Sequence, residues 1–222
     1  MKTKKITLYR FDELDDEARE KVEEWVMNNL YEDWDLWQDI ISTWLEDRLE
    51  PLGYPTDRLC YAYTHCQGDG VAFYGKIKKM KKQIDRLFDE EEVEGIKKMF
   101  AEIEERLGYK IDLFGEIEKS KSFHLYDHQN TMVVSVDADI SWIDMDGMYL
   151  DDVDLEEEFR DFLEDLETRL QDDVREVSKK LHSEGYDMID DVMKEEFEYR
   201  MESLKEDGEI FLKNGKRGDY LE

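Results

Sequence analysis

The sequence predicts an α+β fold: a small antiparallel sheet built from two hairpins and packed with long amphipathic acidic helices. Two observations predict it. Through most of the chain apolar residues recur every three or four positions, the spacing of a helix face. Two stretches, 59–77 and 122–140, instead run through Tyr, Val and Phe around turn residues, as hairpins do. The 222 residues read as one domain, 1–222, with 151–207 a candidate helical subdomain.

The elements follow in order. Residues 5–10 read as a short strand. Asp15 or Asp16 then caps a helix whose stripe is Leu14, Ala18, Val22, Trp25, Val26 and Leu30. A second helix, 34–49, buries Trp34, Trp37, Ile40, Ile41, Trp44 and Leu45, and Pro51, Gly53 and Pro55 end it. Leu59 to His65 forms a strand, Gln67-Gly68-Asp69-Gly70 a hairpin turn, and Val71 to Ile77 the return strand. A helical stretch, 78–107, breaks near Asp89. Ser122–Tyr126 and Met132–Ile140 form the second hairpin. An acidic loop, Asp144 to Asp154, leads into the longest helix, striped from Leu155 to Leu181 and broken by Gly185. A last helix from Asp187 stops at Gly208, and Glu209–Leu212 is a candidate strand before a basic tip, Lys213–Arg217.

Charge is the strongest functional signal. Sixty acidic residues face 31 basic ones, a net charge of −29. Residues 11–50 carry −12, residues 137–207 carry −19, and residues 76–122 are neutral. Such a surface repels nucleic acid and anionic membrane and attracts basic proteins or cations. At 40% hydrophobic and 12% aromatic, the chain can still bury a core. Two cysteines are too few for a disulfide scaffold, and no apolar run approaches a membrane span. The N-terminal MKTKKITLYRF lacks the apolar stretch of a secretory signal, so a cytoplasmic protein is expected.

The segment CQGDGVAFYG, with Leu8, Phe11 and Leu14 upstream, resembles a family of small acidic proteins encoded by bacteriophages and prophages. That family carries an SQGDGA-F-G motif at the corresponding hairpin and a short DG segment near the C-terminus. Gln67, Gly68, Asp69, Gly70, Phe73 and Gly75 match the first, and Asp207-Gly208 the second; Cys66 stands for the usual Ser. The resemblance covers mainly the first 75 residues. It implies phage origin and residence in the infected host's cytoplasm, and it carries over no catalytic residue. Small acidic phage proteins often block host nucleic-acid enzymes by imitating DNA.

Three functional readings follow. The first is a non-enzymatic accessory protein that binds and inhibits a basic host protein, preferably a nucleic-acid-binding one. Ten carboxylates lie between Glu156 and Glu176. At 1.5 Å per residue they give about one charge per 3 Å, close to the roughly 3.4 Å phosphate spacing of a DNA strand. The candidate contacts are Glu157, Asp161, Glu164, Asp165, Asp172 and Asp173, with Asp69 at the hairpin tip. The second reading is a divalent-cation site or metal-dependent enzyme using Asp137, Asp139, Asp144 and Asp146. Asp137 and Asp139 share a strand face, but the Asp144-Met145-Asp146-Gly147 segment lacks the first and twelfth ligands of an EF-hand loop. The third is a structural or assembly protein whose Leu/Phe stripe mediates oligomerisation. His124 and His128 have zinc-site spacing, but the five residues between Cys60 and Cys66 are too many for a cysteine pair. The lysine run Lys76–Lys82 is expected to pair with the acidic helices.

Overall fold

A computed structural model describes residues 6–66, 68–121, 127–140 and 153–217. Its order is β1 (Tyr9–Arg10), α1 (Asp16–Tyr31), α2 (Trp34–Leu49), β2 (Arg58–Ala62), β3 (Gly70–Ile77), α3 (Met80–Leu87) and α4 (Glu90–Leu107). Then come β4 (Asp112–Lys119), β5 (Met132–Asp139), α5 (Val153–Glu206) and β6 (Ile210–Phe211). The fold is α+β, with a four-stranded antiparallel sheet in the order β2-β3-β4-β5 and a two-stranded β1-β6 ribbon. The chain divides into two compact units, Met1–Ile41 with Tyr186–Glu222, and Ser42–Gly185.

In the first unit the predicted N-terminal strand shrinks to Tyr9–Arg10, which pairs with β6 through Tyr9–Phe211. Asp15 is the N-cap of α1, its carboxylate accepting from Ala18 N at 3.0 Å. The buried Trp37 donates its indole N–H at 2.7 Å to the Leu30 carbonyl in the last turn of α1, which also accepts from Asp33 N at 3.3 Å. Asp33 receives Arg200 at 2.8 Å.

The second unit holds the sheet. β3 is its most buried strand, with Val71, Ala72 and Phe73 shielded from solvent. The sequence places the partner of β5 at Ser122–Tyr126, a segment outside the described residues. The structure gives β5 a different partner, β4, in register from Asp112–Asp139 to Lys119–Met132. β4 carries no strand signal in the sequence, for half of its eight residues are charged. Alternation explains it: Gly115 and Ile117 point inward, while Asp112, Glu116 and Glu118 face water. Gly115 leaves room for Met80, whose sulfur would lie 2.7 Å from an added Cβ.

Asp89 separates α3 from α4 as expected, in a reciprocal capping box with Glu92. The break expected at Gly185 does not occur, because α5 runs through it for 54 residues. Close approach explains the glycine there: an added Cβ would meet the Tyr63 hydroxyl at 2.3 Å. Phe88, Phe100, Phe159 and Phe162 join α4 and α5 in a cluster with ring centroids 5.5–6.1 Å apart. α5 also satisfies the sheet edge. Val134 N donates to Gln171 at 3.0 Å and Val136 N to Glu167 at 3.1 Å, while Gln171 returns a bond to the Met132 carbonyl. These bonds cover the open backbone of an edge strand.

Candidate functional site

The face of α5 that carries the candidate carboxylates is set by helical rotation. Counting about 100° per residue from Glu157, Asp161, Glu164 and Asp172 fall within about 60° of it. All four are exposed. Asp165 lies about 80° away, and Asp173 about 160° away, among Phe162 and Leu166 on the core side. The six candidates therefore do not form one surface.

Asp173 is an internal group. Arg86 donates to it twice, at 2.7 and 2.8 Å, and the buried Tyr54 hydroxyl donates to it as well. Arg86 also bonds Tyr54 and Gln83, and Gln83 reaches the Leu52 carbonyl. Burial pulls the Arg86 pKa down, but the bond to Asp173 and the nearby Tyr54 outweigh it and hold it above its ordinary value. Burial, then the bond to Asp173, pushes the Tyr54 hydroxyl well above the ordinary tyrosine range. This cluster ties the start of the sheet, α3 and α5 together, so Asp173 leaves the candidate surface.

Asp165 is part of a second arrangement. Arg169 bonds Asp165 at 3.1 Å and Glu92 at 2.6 Å, and its guanidinium lies 4.1 Å over the Phe88 ring. The bonds to Arg169 and to the Asp89 backbone hold the Glu92 carboxyl below its usual range. Asp172 keeps a long 3.8 Å pair with Arg175.

Glu157, Asp161 and Glu164 on this face, and Glu158 about 100° round toward α4, have no cation within 4 Å among the described residues. They span about 10 Å of helix, so about one unpaired charge falls every 3–4 Å over a short patch. The lysine run does not quench them: among the described residues, none of Lys76, Lys78, Lys79, Lys81 and Lys82 pairs with a carboxylate within 4 Å, and Lys82 donates to the Pro51 carbonyl. Beside the patch, a groove of about 380 Å³ opens between α4 and α5.

Asp69 is half-buried and organises its own loop. Its carboxylate accepts from Thr64 N at 2.5 Å, Thr64 Oγ1 at 2.7 Å and Cys66 N at 3.1 Å. Gly70 admits the close passage of His128, whose Cβ would sit 2.5 Å from an added one. Asp137 and Asp139 do share the exposed face of β5, and Asp139 stands opposite Asp112. Asp144 and Asp146 lie outside the described residues. Among the described residues, no group of three or more His, Cys, Asp or Glu side chains is placed to hold a metal ion.

A family model described as a domain of unknown function, DUF8835, matches residues 27–195, about three-quarters of the chain. The chain belongs to the DUF8835 family. No curated protein and no solved structure matches it. The matched region of this DUF8835 chain includes the Tyr54–Arg86–Asp173 cluster, the acidic patch and the groove. No helix among the described residues is long and apolar enough to cross a membrane.

Charge alone does not point to the groove. One signal was available: Gly95 stands mid-helix in α4, away from any cap, where glycine is unfavourable.

Proposed function

We propose that this chain is a phage-encoded accessory protein that binds a cationic host protein, preferably one that itself binds nucleic acid, and occludes its nucleic-acid site. One observation carries the reading: Glu157, Glu158, Asp161 and Glu164 form an exposed patch that the described cations do not neutralise. A folded protein concentrates like charge at a cost in self-repulsion. A cationic partner relieves that cost and is steered toward the patch, giving fast, salt-sensitive association. The charge spacing approaches that of a phosphate backbone, so Lys and Arg set to track DNA find comparable charge here. The paired carboxylates at Asp165 and Asp173 serve the fold, which makes the mimic shorter than the sequence alone indicates.

Competition tests this. The chain immobilises a basic, nucleic-acid-binding protein from host lysate, and labelled duplex DNA is titrated against the complex at several salt concentrations. Mutual exclusion is expected, with affinity falling as salt rises. The variant Glu157→Lys/Asp161→Lys/Glu164→Lys loses at least about tenfold in affinity, a difference of about 1.4 kcal/mol. Simultaneous binding of DNA and chain, or full affinity in the reversed variant, refutes the proposal.

A further inference from the structure

The groove between α4 and α5 has an apolar floor and an acidic lip. Phe88, Ile96, Met99 and Phe162 line its floor, and Glu158 and Asp161 stand at the α5 side with no cation partner among the described residues. Gly95 forms part of the α4 wall. Nothing inside the fold accounts for that glycine. It is exposed, its φ is not positive, and a Cβ added to it would meet no atom within 4 Å. Gly185 shows the opposite case, with Tyr63 packed where its side chain would be. After proline, glycine is the poorest residue for a helix interior, so Gly95 weakens α4 with no compensating contact within the unit. What it provides is an approach to the helix backbone from outside.

We propose that this groove is the docking slot for an arginine-bearing amphipathic segment of the cationic partner, seated over Gly95. The inference rests on the acidic-face reading and names the segment the partner inserts. The chemistry of the slot is already displayed at one end. There the chain's own Arg169 lies flat over Phe88 while Glu92 and Asp165 bind its nitrogens. An incoming guanidinium finds the same combination further along: the apolar floor at Phe162 and Met99 beneath, and Glu158 and Asp161 beside it. Arginine suits this better than lysine, because its planar, weakly hydrated head stacks on apolar surface and bonds carboxylates in pairs. A volume of about 380 Å³ admits a few side chains, so apolar neighbours of that arginine fill the remainder.

The test uses the full chain and two labelled synthetic probes of equal charge, a helical peptide with Arg and Leu along one face and an oligolysine, followed by fluorescence anisotropy. Gly95→Met fills the slot without changing charge, and Gly95→Ala fills it partly. Both raise the thermal midpoint, since each improves helix propensity and the added Cβ meets nothing within 4 Å. The expected result is that the wild type prefers the Arg–Leu peptide, that Gly95→Met weakens that peptide by about tenfold or more, and that oligolysine binding changes by less than about twofold. Unchanged affinity of Gly95→Met for the Arg–Leu peptide, or equal binding of both probes by the wild type, overturns the slot. Glu157→Lys/Glu164→Lys separates the two ideas. If it weakens both probes while Gly95→Met weakens neither, the acidic face stands and the slot falls. If Gly95→Met weakens the Arg–Leu peptide while charge reversal affects neither probe, the slot stands and the acidic face falls.

Discussion

Asp173→Asn distinguishes a carboxylate that holds the fold from one that awaits a partner. Asparagine keeps the shape and one acceptor oxygen but removes the charge opposite Arg86. The side chains are 27% and 22% exposed, so both ions are largely out of water. Removing one member of a fully buried pair costs about 3–5 kcal/mol, because the other charge stays desolvated. Breaking a solvated pair costs about 0–1 kcal/mol. The exposure here and the remaining Tyr54 and Gln83 contacts place the loss between these limits, at about 2–3 kcal/mol. For a chain of this size that lowers the thermal midpoint by about 4–12 °C. Glu164→Gln, on the open patch, leaves the midpoint within about 2 °C, as surface substitutions do. Calorimetry of Asp173→Asn, Arg86→Gln and the double variant completes a cycle. The double variant is expected to cost less than the sum of the singles, since neither leaves the other's charge stranded. Additive losses, or an Asp173→Asn variant as stable as Glu164→Gln, would refute the assignment of Asp173 to the interior.

Other predictions use the same structure. Gly185→Ala destabilises the chain despite its better helix propensity, because the added methyl meets the Tyr63 ring, and trimming the ring with Tyr63→Leu reverses the loss in a melting experiment. Raising salt from about 10 to 200 mM raises the melting midpoint, since screening relieves self-repulsion of the −29 charge, and a fall would show that ion pairs dominate instead. Asp127 supplies a pH test. Burial raises its pKa, but bonds from Lys119 at 2.8 Å and Tyr74 at 2.6 Å outweigh that and hold the folded value below the ordinary 3.8. Its stabilisation is therefore complete above about pH 4 and disappears as pH falls through the folded value. The gap in urea midpoint between wild type and Asp127→Asn should be full at pH 7 and narrow as pH falls below about 4.

How far the sequence reveals this depends on which force sets each element. The helices α1 and α2 and the α3–α4 break at Asp89 are legible because periodicity and caps are local. β4 is not, because a strand with one wet face can be half charged, and its pairing with β5 is set by the fold and not by local sequence. Gly185 misleads because propensity describes an isolated helix, whereas Tyr63 supplies a tertiary reason for the glycine. For the candidate surface, net charge identifies α5 correctly as the acidic element but does not separate its faces. Asp173 is the informative error. Its position about 160° from Glu157 is calculable from residue number alone, and it falls in the sector of Phe162 and Leu166, where a carboxylate needs an internal cation. Which cation, Arg86 from α3, requires the fold.

The angular arrangement of α5 also bears on why so much charge survives on a folded chain. Its core side carries aromatic and aliphatic residues together with one carboxylate matched to Arg86. A neighbouring sector carries Glu167, Gln171 and Ser178, which bond sheet backbone at β5 and β3. Polar groups in both sectors have defined partners, so the fold accounts for them. The outer sector does not close in that way. Glu157, Glu158, Asp161 and Glu164 repel one another at helical spacing, and like charges at i,i+4 weaken a helix. Replacing alternate members with lysine would create stabilising i,i+4 pairs within the helix, so local stability gives no reason for the arrangement found. Gly95, across the groove, likewise lowers helix stability without an internal gain. Two independent departures from the stability optimum border one groove. The proposed cationic ligand would account for both, and on that proposal variants that repair both departures should make a more stable protein that binds more weakly.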